Sequence, residues 1–131
     1  MQEPHELHWK AIKRILRCVK GTSSFGIFYA TDCPLSLIGY TDSDWAGDGT
    51  NCNSTSGYVF SFGSGPFCWS SKKQSTIALS TVEVEYRGAV NAATQAIWLQ
   101  GLLSKSNIQY PLLTVILCDN QDSIQISINP V

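Results

Sequence analysis

Leu37-Ile38-Gly39-Tyr40-Thr41-Asp42 is an apolar run that ends in a carboxylate. It reads as a strand that delivers one Asp at its C-terminal tip. Val115-Ile116-Leu117-Cys118-Asp119 has the same form. Between them, Thr81-Val82-Glu83-Val84-Glu85-Tyr86 reads as the first turn of a helix that carries a Glu. If the two strands are parallel neighbours, their tips lie about 5 Å apart. The helix then makes the crossover and can bring Glu85 to the same edge. Three acids gathered there repel one another unless a cation sits between them. A pair of Mg²⁺ ions is the usual answer where the substrate is a phosphodiester.

The rest of the chain builds outward from these stretches. Residues 4–20 read as an amphipathic helix with Pro4 at its first position. Trp9, Ile12, Ile15, Leu16 and Val19 form one stripe, and Lys10, Lys13, Arg14, Arg17 and Lys20 form another. The basic stripe fits either a solvated face or a contact with nucleic-acid phosphate or another anionic partner. Gly21-Thr22-Ser23-Ser24 ends the helix. Strands are expected at 25–29, 37–41, 54–62 and 67–71, with a hairpin turn at Gly63-Ser64-Gly65-Pro66. Short connections make them an antiparallel meander. Ser80-Thr81-Val82-Glu83 is a capping-box pattern. It opens a helix, in one piece or two, that runs to about residue 104. Residues 112–117 are all apolar or Thr and look like a strand buried on both faces. A short helix over 120–128 follows. The fold class is α/β, a mixed sheet with helices packed on it.

Size and composition restrict the alternatives. A chain of 131 residues forms one domain at most. With 44% hydrophobic and 15% charged residues it is not expected to be disordered. No apolar run approaches the roughly 20 residues of a membrane span, so no membrane partner is expected. Met1-Gln2-Glu3-Pro4-His5-Glu6 lacks the pattern of a signal peptide. The five cysteines form no CxxC pair, which suits a reducing interior. An intracellular location, cytoplasm or nucleus, is expected rather than secretion. Net charge is −1, yet five of the nine basic residues precede residue 21. The remaining chain carries four basic and eight acidic residues. Such a body argues against generic electrostatic binding of nucleic acid through it. It is expected where acids are gathered for metal.

Each acid has a plainer reading. A lone Asp at a strand end is usually a turn residue or a helix cap, and Asp119 can cap the helix that follows it. Glu83 and Glu85 can be ordinary first-turn acids facing the helix dipole. Asp44 shares Asp42's face in an extended strand and is its rival as first metal ligand. Asp42 is preferred because it follows the apolar strand directly. Asp48 and Asp122 read as solvated loop and helix acids. His5 and His8 share one helix face but have no third ligand nearby.

Five motifs in order point to a family. They are Gly39-Tyr40-Thr41-Asp42-Ser43-Asp44-Trp45-Ala46-Gly47-Asp48, Ser54-Thr55-Ser56-Gly57-Tyr58-Val59-Phe60, Trp69-Ser70-Ser71-Lys72-Lys73-Gln74, Ala78-Leu79-Ser80-Thr81-Val82-Glu83-Val84-Glu85-Tyr86 and Cys118-Asp119-Asn120-Gln121. Together they resemble the ribonuclease H domain of copia-type LTR retrotransposon polyproteins. The upstream His8-Trp9-Lys10-Ala11-Ile12-Lys13-Arg14-Ile15-Leu16-Arg17 and Lys20-Gly21-Thr22 resemble the segment that joins reverse transcriptase to that domain. The resemblance implies a connection segment over 1–24 and a ribonuclease H-like domain over 25–131. It implies three antiparallel strands with a parallel fourth, in spatial order 3-2-1-4. The family's catalytic, metal-binding carboxylates carry over to Asp42, Glu85 and Asp119, with Mg²⁺ as cofactor and Mn²⁺ as its substitute. Gln121 matches a position that touches the minor groove of an RNA–DNA hybrid. Lys72 and Lys73 lie in a family motif and are assigned to substrate binding. The implied reaction is hydrolysis of RNA paired to DNA, selected by 2′-hydroxyls and duplex shape. The implied partners are the hybrid and the reverse transcriptase portion of the parent polyprotein.

The family continues past the equivalent of Asn129-Pro130-Val131 into a further strand and a helix that bears a fourth carboxylate. The expectation is therefore a C-terminally truncated domain with an impaired nuclease site and an exposed edge at 113–117. The alternative from another class is a non-catalytic module that binds nucleic acid or protein through the basic helix and that edge.

Overall fold

Strand β1 (Leu37–Asp44) is the centre of the molecule, and the other elements are placed by what they do to it. In the computed structural model, residues 4–47, 52–108, 111 and 113–129 are described. Asp48, Leu112 and the last two residues lie outside that set. Helix α1 (Glu6–Gly21) comes before β1. After it come β2 (Thr55–Phe62), β3 (Gly65–Lys73), α2 (Thr81–Lys105), β4 (Val115–Leu117) and α3 (Gln121–Ile128). The sheet order is β3-β2-β1-β4. β1 pairs antiparallel with β2 from Leu37 opposite Phe62 to Asp44 opposite Thr55. β4 pairs with β1 in parallel, ending with Leu117 beside Tyr40. The chain is thus α/β with a four-stranded mixed sheet, compatible with the ribonuclease H-like expectation.

The core lies between this sheet and α2. Leu37 and Phe60 from the sheet meet Ala92, Ala96 and Leu99 from the helix. Phe60 is fully buried, a placement worth about 1.5–3 kcal/mol. Gly88, Ala92 and Ala96 recur at helical spacing, and small residues let the helix backbone come close. At Gly88 an added Cβ would stand 2.5 Å from Ser43 Oγ and 3.2 Å from Thr41 Oγ1. At Gly39 it would stand 2.6 Å from the Phe60 ring. Gly88 sets the depth at which α2 seats on β1, and Gly39 leaves room for the Phe60 ring across the β1–β2 pair.

Helix starts follow local capping chemistry. Ser80 Oγ accepts the Glu83 N–H at the start of α2. The expected reciprocal half of the box is displaced by one residue, because Glu83 Oε2 accepts from the Leu79 N–H instead. α2 is one unbroken helix of 25 residues. Asn120 Oδ1 caps α3 by accepting the Ser123 N–H at 2.8 Å.

Three expectations are corrected. Residues 25–29 are not a strand. They pack beside the β2–β3 hairpin through side chains: the Tyr29 hydroxyl donates to the Pro66 carbonyl at 2.6 Å, and the Ala30 N–H donates to Ser64 Oγ. The Tyr29 ring and Ile27 fill the space over Gly65, so their contacts are made without a ladder. Of the strand expected over 112–117, the described residues 113–117 pair only at Val115–Leu117, and that strand is not buried on both faces. β4 is an edge strand, with Val115 and Leu117 about half exposed and Leu113 86% exposed. Among the described residues, helix α1 covers none of that edge: it buries no residue and contacts no other helix or strand.

Candidate metal centre

The rim at the C-terminal tips of β1 and β4 is assembled by register, capping and close packing. The β1–β4 ladder ends with Leu117 level with Tyr40, and Asp42 and Asp119 line one cleft just beyond it. Asp119 does not cap α3, since Asn120 performs that task. Ser123 Oγ donates to the Val82 carbonyl at 3.0 Å and ties α3 to the first turn of α2. The Trp45 indole N–H donates to the Ala78 carbonyl at 3.2 Å and ties the exit of β1 to the same place. Glu85 sits on α2 one turn before Gly88, on the face pressed against β1.

One N–H links the first two acids. The Ser43 N–H is within reach of Asp42 Oδ1 at 2.8 Å and of Glu85 Oε1 at 3.3 Å. The third acid joins through Glu85: carboxylate oxygens of Glu85 and Asp119 and the Cys118 sulfur all lie within 4.8 Å of one another. Asp42, Cys118 and Asp119 also line one shallow cleft of about 320 Å³. Glu85 is 7% exposed, and its Oε2 is buried with no hydrogen-bond partner. Burial first, then the charges of Asp119 and Asp42, push its pKa above the ordinary carboxylate value, against the opposing pull of the Ser43 N–H. A buried, unpartnered carboxylate oxygen facing two further acids is costly unless a proton or a cation compensates it. The donor set therefore fits a hard divalent ion.

The other acids take ordinary roles. Glu83 accepts from Leu79 N–H and pairs with Arg87 Nη2 at 2.6 Å, one helical turn on. The Leu79 N–H, with Arg87 beside it, holds Glu83 below the usual carboxylate range. Asp44 turns back over Gly47, where its carboxylate occupies the space a Cβ would need. His5 caps α1, and its N–H donates to His8 Nδ1 at 3.1 Å. Asp122 is an exposed first-turn acid of α3.

The expected substrate residues flank the rim. Gln121 is exposed at the start of α3, two residues beyond Asp119. Lys72 lies opposite Ser56, which in turn lies opposite Ser43. Two strand spacings put its backbone on the order of 10 Å from Ser43. Lys72 and Lys73 border an open cleft of about 590 Å³ with Gln74, Thr76 and Arg87. Arg87 also donates to Thr76 Oγ1.

Two features were not read from sequence. Cys118 was assigned to a strand, where it would face away from its neighbour Asp119. The ladder stops at Leu117, so alternation no longer applies, and both residues reach Glu85. The second is a polar layer beneath the rim. Gln74 Nε2 donates to Ser56 Oγ at 2.6 Å and to the Val84 carbonyl at 3.2 Å, and Ser43 Oγ bonds Ser56 Oγ at 2.9 Å. It braces β1, β2 and α2 just below Glu85.

Comparison with known proteins gives consistent relatives. The chain is 42% identical over its full length to a retrovirus-related Pol polyprotein from the Arabidopsis thaliana transposon RE2, covering 9% of that protein. It is 39% identical over 98% of its length to the corresponding polyprotein from transposon TNT 1-94 of Nicotiana tabacum, covering 10% of it. A secreted RxLR effector protein 161 of Plasmopara viticola is 43% identical over 97 residues, which are 74% of this chain and 68% of that protein. The chain thus spans about a tenth of the length of the polyproteins it matches. No family model matches it, and no solved structure does. No described helix is long and apolar enough to cross a membrane.

Proposed function

We propose that the chain is a segment of a retrovirus-related Pol polyprotein of the transposon kind and carries a ribonuclease H-like nuclease centre, acting on RNA paired to DNA. The observation that supports this reading is Glu85, buried with an unpartnered Oε2, sharing the Ser43 N–H with Asp42 and lying within 4.8 Å of Asp119. Asp42, Glu85 and Asp119 would hold Mg²⁺ or Mn²⁺. When bound, such ions activate water and stabilise the departing oxygen of a phosphodiester. The protein's own contribution is placement. Ser43 N–H orients Asp42 and Glu85 together, while Gly88 and the Gln74 layer fix the height of α2 so that Glu85 reaches the rim. Burial and the charges of Asp119 and Asp42 raise the Glu85 pKa, a cost that a bound cation would offset. Gln121 on one side and Lys72 and Lys73 on the other are positioned to touch the duplex, the lysines through phosphate. On this reading 1–24 is the connection to the polymerase and 25–131 the nuclease-like part, working inside the cell beside reverse transcriptase.

Purified protein with Mg²⁺ or Mn²⁺ is expected to cut a labelled RNA–DNA hybrid and to leave a DNA duplex intact. Asp42→Asn is expected to abolish cutting. Hybrid binding without cleavage, weakened by Arg14→Ala and Arg17→Ala, would overturn the nuclease reading in favour of a binding module.

A further inference from the structure

Cys118 gives the rim a donor that hard-ion chemistry does not use. Mg²⁺ takes oxygen ligands, whereas a thiolate selects softer ions such as Zn²⁺. The Cys118 sulfur, a Glu85 oxygen and an Asp119 oxygen lie within 4.8 Å of one another, and these residues are half-buried, buried and exposed respectively. Glu85 supplies the independent sign that a ligand belongs there: it is 7% exposed and its Oε2 has no partner. We propose that Glu85, Cys118 and Asp119 form a Zn²⁺ site that overlaps the hard-ion site and excludes Mg²⁺ from it.

The coordination is feasible on geometry. Tetrahedral zinc, with Zn–S about 2.3 Å and Zn–O about 2.0–2.2 Å, spaces its ligand atoms about 3.5 Å apart. The three donors must therefore close by about 1 Å from their widest separation. Asp119 is exposed and Cys118 lies just past the end of the β4 ladder, so both have room to adjust without breaking a ladder bond. Three protein ligands leave the fourth position for water. Binding converts the Cys118 thiol to a thiolate and releases one proton to solvent. Asp42 is not part of the trio, so the two ions differ in their ligands. Zinc gains the sulfur, and the hard ion gains Asp42.

The site shares Glu85 and Asp119 with the proposed nuclease centre but does not require that hydrolysis occur. Cobalt(II) is the probe, because thiolate ligation gives it a near-ultraviolet charge-transfer band that oxygen ligands do not. Titrating the full chain with Co²⁺ should produce the band at one equivalent, and Zn²⁺ should erase it, while a large excess of Mg²⁺ should not. Cys118→Ser should remove the band, with circular dichroism verifying the fold. Cys18, Cys33, Cys52 and Cys68 remain in that variant as internal controls. Glu85→Gln should weaken the band, and Asp42→Asn should keep it even where hybrid cleavage is lost, which lets the two readings fail separately. A band that survives Cys118→Ser, or a folded chain that gives none at stoichiometric Co²⁺, would overturn the proposal.

Discussion

Helices α1 and α2 make opposite use of their apolar residues. α1 has the cleaner separation of faces, yet Trp9, Ile15, Leu16 and Val19 are each more than half exposed and, among the described residues, the helix contacts no other element. Its internal contacts are local: Lys10 pairs with Glu6, and Lys13 lies over the Trp9 ring. Such exposed pairs contribute little. α2 has the less distinct stripe, with Trp98, Ile97 and Leu102 exposed, yet it buries Val84, Gly88, Ala92, Ala96 and Leu99. Amphipathic spacing identifies a helix but not its docking partner. What docks α2 is the run of small residues that lets it approach β1, and the same approach delivers Glu85.

If that contrast is right, substitutions under α2 cost far more than substitutions on α1. Phe60→Ala should destabilise by about 3–5 kcal/mol, because it leaves a cavity between β2 and α2; urea unfolding measures it. Gly88→Ala should cost about 1–3 kcal/mol, since the added methyl must displace Ser43 or lift the helix. It should also weaken Mn²⁺ binding, which a loss of core packing alone would not do. Ser80→Ala should cost about 1 kcal/mol by removing the α2 cap. Leu16→Ser on α1 should change stability by no more than about 0.5 kcal/mol. A large loss there would show that α1 is docked after all.

The pH response separates the two acids of α2. Glu85 has a raised pKa in the fold, so the folded state holds a proton that the unfolded chain releases earlier. Its contribution to stability is full below the ordinary Glu value and is lost as pH rises through the raised one. Without metal, melting temperature should therefore fall over that window, and Glu85→Gln should flatten the fall. Glu83 behaves oppositely. Its lowered pKa favours the fold above the ordinary value, and that contribution is lost as pH falls.

Much of this was legible in the sequence, and the failures have physical causes. β1, the β2–β3 hairpin and the start of α2 follow from period, turn residues and the Ser80 cap, whereas α3 is capped by Asn120 and not by Asp119. Glu85 shares the Ser43 N–H with Asp42 and lies within 4.8 Å of Asp119, as a parallel pair and its crossover allow. Residues 25–29 have strand composition but find side-chain partners at the hairpin instead of a ladder. Residues 112–117 have the hydrophobicity of a buried strand, but of the described residues 113–117 only three pair, and at an edge. Cys118 was read only as one of five cysteines without a CxxC pair, because spacing along the chain does not show that it lies beside Glu85. No local pattern marks the Gln74 layer, whose partners are 10 and 18 positions away.

Mn²⁺ titration followed by electron paramagnetic resonance is the decisive measurement, with wild type compared against Asp42→Asn, Glu85→Gln and Asp119→Asn. Convergence of the three carboxylates predicts saturable binding in wild type and marked weakening in each variant, with Asp44→Asn close to wild type. Binding that is unaffected by all three substitutions, or weakened only by Asp44→Asn, would contradict it.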